Sequence, residues 1–374
     1  MTAIELISGA EERLTHQRDA FGNWEARFSP RTADGTLQVP LIEAQAQDLP
    51  ALAWPQSKTF ALCLSHDVDH VVRYSARQRL RHAQRMWQNG QRAPRYFARA
   101  AATAAGKWAV HLRLGHSPDP YSQLERWLEL EDKHNFRSTF FFFSDAGKRW
   151  HEVDEEYTLD DLIQFQGRRV AVGEAMRWMH QHGWEIGLHG SWFTSTDAEL
   201  MTAQRQRIEA VIGAPVISNR QHYLHFDPLQ TPQTLAQAGF KIDSTLGFNH
   251  AVGFRRGTCR PHALLNLQSG QDIGVTEVPL VAMDSSLFSS NRLNLTREAG
   301  CALTVRVLEQ AQAYQGCVSI NWHPHVADAM RFPGWFAAYQ TIVQWAHDHN
   351  AWGCTLRDAV QWQQSHHGVP EGVR

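Results

Sequence analysis

The stretch Phe60-Ala61-Leu62-Cys63-Leu64-Ser65-His66-Asp67-Val68-Asp69-His70 runs from apolar residues straight into acids and histidines. A short apolar run of strand-compatible residues reads as a strand buried in a parallel sheet. Placing His66, Asp67, Asp69 and His70 at its C-terminal end puts titratable groups at the mouth of an α/β sheet or barrel, where such folds keep their active sites. Asp67 and Asp69 stand two apart, so in extended backbone their carboxylates face the same way and can share one metal ion or one water. The competing reading, a polar loop that holds acids by chance, leaves that spacing unexplained.

The same pattern recurs downstream. Helical segments at 121–135, 172–182, 197–212, 231–238 and 335–349 alternate with strand-like runs at 136–144, 184–188, 216–217, 240–243 and 316–322. Polar residues follow several of these runs: His189, then Arg220-Gln221-His222-Tyr223, then His323. Alternation of this kind predicts an α/β fold, a distorted (β/α) barrel. The chain divides into an N-terminal extension (1–58), a catalytic domain (59–362) and a C-terminal tail (363–374).

Within the domain, residues 71–118 form a basic helical insertion with nine Arg, one Lys and no acid. Its helix-compatible stretches, 77–89 and 94–114, interleave Trp87, Tyr96, Phe97 and Trp108 with the bases. One reading is a surface for anionic lipid or an anionic substrate; the plainer one is a solvated helical insertion.

A length of 374 residues suits a barrel with extensions, and a formal net charge of −2 carries no nucleic-acid signature. The 14 Trp and 18 Phe are read mainly as core, although aromatic faces also serve sugar subsites. The five cysteines show no CxxC or zinc-finger spacing, and Cys63 and Cys317 read as buried thiols of a reducing compartment. With no basic-then-apolar leader and no run of eighteen apolar residues, the expected location is cytoplasmic, with the basic segment as the candidate for peripheral membrane contact.

Asp67/Asp69, His189, Arg220/His222 and His323 together are the set that a metal-assisted hydrolase needs. One carboxylate and one or two imidazoles hold a divalent cation such as zinc with positions left open. A second carboxylate takes a proton from water, and a histidine kept off the metal donates one to the leaving group.

The ordered segments Ser65–Asp69, Phe136–Phe142, Glu185–Trp192, Asn219–Tyr223, Gly239–Thr245 and Ile320–His323 resemble the motifs of the polysaccharide deacetylases with a NodB-type domain (carbohydrate esterase family 4). The resemblance spans residues 58 to 325. It implies Asp69 and His189 as metal ligands, Asp67 as general base oriented by Arg220, and His323 as general acid tuned by Asp243. Because a DxD pair aligns with the family's adjacent pair in two registers, Asp67 and Asp69 remain exchangeable. The family's His-x-x-x-His is incomplete here, with Phe193 four residues after His189. His222, where the family has Pro, is the leading candidate for the missing ligand, followed by His66 and His70.

The implied activity is metal-dependent removal of the N-acetyl group from a sugar in a glycan or in a lipid- or nucleotide-linked precursor. Tyr223 and Trp192 are expected to line the sugar subsite. Hydrolysis of another C–N bond, as by a deformylase or an allantoinase, and non-catalytic saccharide binding are the alternatives. Of the remaining features, Gly253–Gly257 offers bases for a phosphate, Glu277 reads as structural, and His325 as a supporting or surface residue.

Overall fold

The computed structural model describes residues 2–14, 18–19, 21–46, 48–73, 75–88, 90, 94–114, 119–147 and 149–367, with only the backbone at 107–114. The Trp108 side chain, Asn89 and the end of the tail lie outside the described residues. Among those described, no helix is long and apolar enough to cross a membrane.

The strands are β1 (Ala61–Val68), β2 (Thr139–Phe143), β3 (Leu162–Phe165), β4 (Arg168–Ala171), β5 (Glu185–Gly190), β6 (Ser218–Gln221), β7 (Ile242–Asp243), β8 (His262–Leu265), β9 (Asp272–Glu277), β10 (Leu280–Met283), β11 (Cys317–Asn321) and β12 (Trp352–Cys354). The main sheet runs β10-β11-β1-β2-β5-β6-β7-β9-β8. Neighbours are parallel up to β9, and β8 closes the edge antiparallel to it. β12 pairs with the first half of β1, whose second half pairs with β2. The result is the distorted (β/α) barrel expected. β3 and β4 form a separate hairpin.

β1 shows how sequence dictates position. All eight of its residues are buried, and strand alternation sorts them to two sides. Leu62, Leu64 and Val68 join the core beneath the outer helices, while Ala61 and Cys63 join Phe141, Ile242, Cys317 and Cys354 inside the barrel. Leu356, Ala359 and Val360 of the helix Leu356–His367 belong to this inner cluster, as do Leu52 and Trp54. Cys63 Sγ lies 3.8 Å from Cys317 Sγ, both as free buried thiols. Asp67, on the inward side of β1, therefore sits above an apolar floor.

Several boundaries differ from the expectation. β6 is Ser218–Gln221, two residues beyond the apolar pair at 216–217, so the polar residues form the strand itself. The strand ending at Glu277 is β9, whereas the hairpin β3–β4, the strands β8 and β10, and the helices Arg297–Ala313 and Leu356–His367 carry no counterpart in the sequence reading.

The basic insertion is two packed helices, Ala76–Gln88 and Pro94–Leu114. Its charge is answered by the acidic segment 152–161: Arg79 pairs with Glu156, Arg81 with Asp161 at 2.9 Å and Arg95 with Glu152 at 2.8 Å. Leu80, Trp87 and Phe97 remain exposed.

Residues before β1 pack against the loop after β7. Arg31 donates to the carbonyls of Phe254 and Arg255, both at 2.8 Å, and pairs with Glu11. Glu12 binds Arg255 at 2.8 Å and Arg256 at 2.7 Å, all three buried. The bases of Gly253–Gly257 are thus consumed by structural ion pairs rather than offered to a phosphate.

Burial alone would raise the Glu12 carboxyl, but the Arg255 and Arg256 guanidiniums override it and hold it at about 2, against an ordinary value of 4.5. A depressed carboxylate stabilises the fold above its unfolded value, and the contribution is lost as pH falls from 4.5 towards 2. The shift corresponds to about 3 kcal/mol. Glu12→Gln should therefore lower the unfolding free energy at pH 7 by roughly that amount, read by urea titration. The gap to wild type should narrow as pH drops below 4.5; a gap that does not change with pH counts against this role.

Candidate metal centre and catalytic cleft

The C-terminal ends of β1, β5, β6 and β11 open into a cleft of about 610 Å³ whose lining includes Asp67, Asp69, His189, His222 and His323. The candidate ligand atoms of Asp69, His189 and His222 lie within 4.8 Å of one another. His189 Nδ1 donates to the Arg220 carbonyl at 3.0 Å, which leaves Nε2 facing Asp69 Oδ1 at 3.3 Å. Asp69 Oδ1, His189 Nε2 and His222 Nδ1 are each buried without a hydrogen-bond partner among the described residues. Three unsatisfied acceptor-type atoms pointing into one space is an expensive arrangement unless a cation completes it. Two nitrogens and one carboxylate oxygen are also the donor set a borderline divalent ion prefers, so the residues present fit a metal.

Electrostatics agree with that fit. Burial would raise the Asp69 carboxyl, yet His323, His189 and His222 hold it well below the usual range. Burial pushes His222 down to about 3, keeping it neutral as ligation requires. Its Nε2 stands 3.1 Å from Glu155 Oε1, where a carboxylate can fix the ring while the other nitrogen faces an ion. Burial and the nearby Asp69 charge push Glu155 itself well up.

The other two candidates for the third ligand are elsewhere. His66 is on the outward side of β1, with Nδ1 2.7 Å from the Trp322 carbonyl and Nε2 2.7 Å from Glu131 Oε1. Ser138, Trp184 and Tyr339 also donate to Glu131, so His66 belongs to a closed polar network in the helix-side core. His70 lines the cleft next to Tyr121 and His325, and its Nδ1 is 3.5 Å from Glu155 Oε2. His325 lines the same cleft.

Asp67 and Asp69 occupy different environments. Asp67 Oδ2 accepts from Asn321 Nδ2 at 2.7 Å, and Arg220 reaches Oδ1 at 3.4 Å. Arg220 is fully buried, donates to Ser244 and Ser319, and lies over the Phe141 ring. His323 Nδ1 is 2.7 Å from Asp284 Oδ1, and its backbone N–H donates to Asp284 Oδ2 at 2.8 Å. Its Nε2 stands 3.5 Å from Asp69 Oδ2. Burial would lower His323, but Asp284 and Asp69 raise it to about 10.

Asp243, expected beside His323, is instead hydrogen-bonded to Asn219 and Thr245 on the β6–β7 side of the barrel. Asp284 takes the place assigned to it. Trp192 also departs from expectation: it stacks between His151 and His225, its backbone N–H donates to Asp154, and it is absent from the cleft lining. Phe193 packs beneath Arg149. Tyr223 does line the cleft, with φ 58° and ψ 16°. The Nδ2 groups of Asn23 and Asn249, each at 2.8 Å, clamp its carbonyl. A non-glycine residue held left-handed by two donors is a strained position that its surroundings enforce.

Glu155, Asp284 and Asn321 escaped the sequence reading. Asp284 carried the signal already used for Asp67, an apolar run (Leu280–Met283) ending in an acid. Nothing in its acidic neighbourhood singles out Glu155.

The protein should bind about one divalent ion per chain, measured by elemental analysis after zinc loading and dialysis. Asp69→Ala and His189→Ala should abolish it. Glu155→Gln should weaken it about 10- to 100-fold, read by cobalt(II) absorbance titration. Full metal content in Asp69→Ala would eliminate this site.

No family model matches the sequence, and no curated protein matches it. Solved structures do. A Mycobacterium smegmatis protein described as a polysaccharide deacetylase matches at TM-score 0.53 and 19% identity, covering 86% of this chain and 96% of that one. The PuuE allantoinase matches at 0.53 and 14%, and a Pseudomonas aeruginosa PAO1 protein described as a polysaccharide deacetylase at 0.52 and 15%, both with the same coverage. The chain therefore has the distorted (β/α) barrel fold of the NodB-type polysaccharide deacetylases.

Proposed function

We propose that this protein is a metal-dependent hydrolase of an amide C–N bond, and that its substrate is an N-acetylated sugar. The observation that carries the reading is one cleft holding Asp69, His189 and His222 together with two separately supported proton-transfer groups, Asp67 and His323. The deacetylase neighbours support the sugar substrate, and the sequence motifs point the same way.

A divalent cation held by Asp69, His189 and His222 would supply Lewis-acid polarisation of the amide carbonyl and acidify a water. The chain's own residues do the rest. Asp67, oriented by Arg220 and Asn321, accepts the proton of the attacking water. His323 presents Nε2 to the cleft because Asp284 occupies Nδ1, and it delivers its proton to the departing nitrogen. The C–N bond breaks, water oxygen ends on the acyl carbon, and the products are acetate and a free amino sugar. Tyr223 and the turn that strains it form the sugar-facing wall.

A second reading, an allantoinase-type activity, is favoured by the likeness to the PuuE enzyme. It uses the same residues on a different C–N bond.

The test is a substrate panel run on metal-loaded protein: N-acetylated oligosaccharides, a nucleotide-linked N-acetylated sugar and allantoin, scored for acetate, formate and ring-opened product. Acetate is expected. Asp67→Asn and His323→Ala should each cut kcat by about 10²- to 10⁴-fold with metal content intact. Undiminished acetate release by Asp67→Asn would sink this mechanism, and ring opening alone would establish the second reading.

A further inference from the structure

Four arginines line the cleft: Arg79, Arg95, Arg99 and Arg292. The first two are neutralised by Glu156 and Glu152. Arg99 and Arg292 are in no ion pair with any carboxylate among the described residues. Arg292 spends one N–H on Ser285 Oγ at 2.8 Å, and burial lowers the guanidinium. An unmatched, partly desolvated cation is costly without an anion to meet it. The two come from distant parts of the chain, the helix Pro94–Leu114 and the segment after Asp284–Phe288, yet both line the one cleft. Both positive charges act on the Tyr223 hydroxyl, against the rise that burial causes there.

The same cleft holds Asp69, whose carboxyl lies well below the usual range, so an anionic ligand is repelled from the candidate metal centre unless its charge is met by the arginines. We propose that Arg99 and Arg292 form an anion subsite, and that the N-acetylated sugar substrate carries a phosphate ester or diphosphate bound there. This rests on the hydrolase reading above. A phosphate dianion neutralises both guanidiniums and offers several non-bridging oxygens to two planar donor forks, whereas a carboxylate leaves one charge unmatched. The candidate metal centre then receives the uncharged amide, which fixes the substrate's direction in the cleft.

The experiment is calorimetric titration of chelator-treated protein, so that phosphate cannot bind through a metal. Ligands are inorganic pyrophosphate, N-acetylglucosamine 1-phosphate, N-acetylmuramic acid and uncharged N-acetylglucosamine. The phosphorylated sugar should bind at least about tenfold more tightly than either other sugar, and Arg99→Gln with Arg292→Gln should erase that advantage. UDP-N-acetylglucosamine and a short-chain lipid diphosphate of the same sugar share the diphosphate. Arginine-dependent binding of either supports the subsite, and the tighter of the two names the source. Pyrophosphate affinity that persists in the double variant, or a muramic acid that binds as well as the phosphate, overturns the proposal. Arginine-dependent pyrophosphate binding with no acetate released from any sugar would fault the deacetylase reading alone.

Discussion

The buried pairing of Arg220 with Asp67 is the constraint around which the barrel interior is arranged. A fully desolvated guanidinium is tolerable only when its charge and donors are matched. Here they meet Asp67, Ser244 and Ser319, with the Phe141 ring beneath. Asp243 and Glu277 lie close enough to act on Arg220 electrostatically. Two further full negative charges in that space would repel each other and Asp67. Burial and the Asp243 charge instead push Glu277 well up, so it retains a proton and donates it to Asp243. The interior thus gives Asp67 a fixed partner in Arg220.

Charge is segregated on a larger scale too. The basic insertion and the acidic segment after β2 look unbalanced when each is read alone, but they neutralise one another across the cleft rim. The same acidic segment carries Glu155 to His222. Docking of the insertion and placement of a carboxylate beside a proposed metal ligand are therefore one packing event. The helix pair contributes to the site by fixing the loop that supports it, and Arg99 is what remains of its charge on the cleft side.

How much of this was legible in the sequence follows from sheet order. Residues at the ends of β1, β5, β6 and β11 were readable because each ends a strand, and parallel strands bring such ends together. The partner of His323 was not, because motif order along the chain says nothing about adjacency. In the sheet β11 lies between β10 and β1, whereas β7 is several strands away. An acid at the end of β10 reaches His323, and one on β7 does not. Pro279, directly before β10, made that strand hard to read as one. β6 was misplaced for a related reason: Ser218, Asn219 and Arg220 are buried against the polar partners Glu185, Asp243 and Asp67, which breaks the rule that strand cores are apolar. Trp192 was misjudged because a residue following a ligand strand is turned by the tight Trp192–Ser195 helix away from the cleft.

The missing second histidine of the His-x-x-x-His pattern has a structural counterpart in the β5–β6 ladder. His189 is in register with Arg220, and its Nδ1 bonds the Arg220 carbonyl. Two residues on, His222 presents the other imidazole. One three-residue segment thus fixes the tautomer of one proposed ligand through a backbone carbonyl, holds Asp67 through a side chain, and supplies the second ligand. Between them Gln221 accepts from Thr194 at 3.0 Å, and its amide packs so closely on Gly190 that a Cβ there would fall 2.7 Å from Oε1. A side chain at Gly190 would have to displace the Gln221 amide and the Thr194 hydroxyl, which pack beside the His189–His222 pair. Drawing one imidazole from β5 and the other from the residue directly after β6, rather than from the turn after β5, ties the geometry of the proposed metal site to ladder geometry. Such a site gains rigidity from backbone hydrogen bonds already present, and it leaves Phe193 free to pack beneath Arg149 outside the cleft lining.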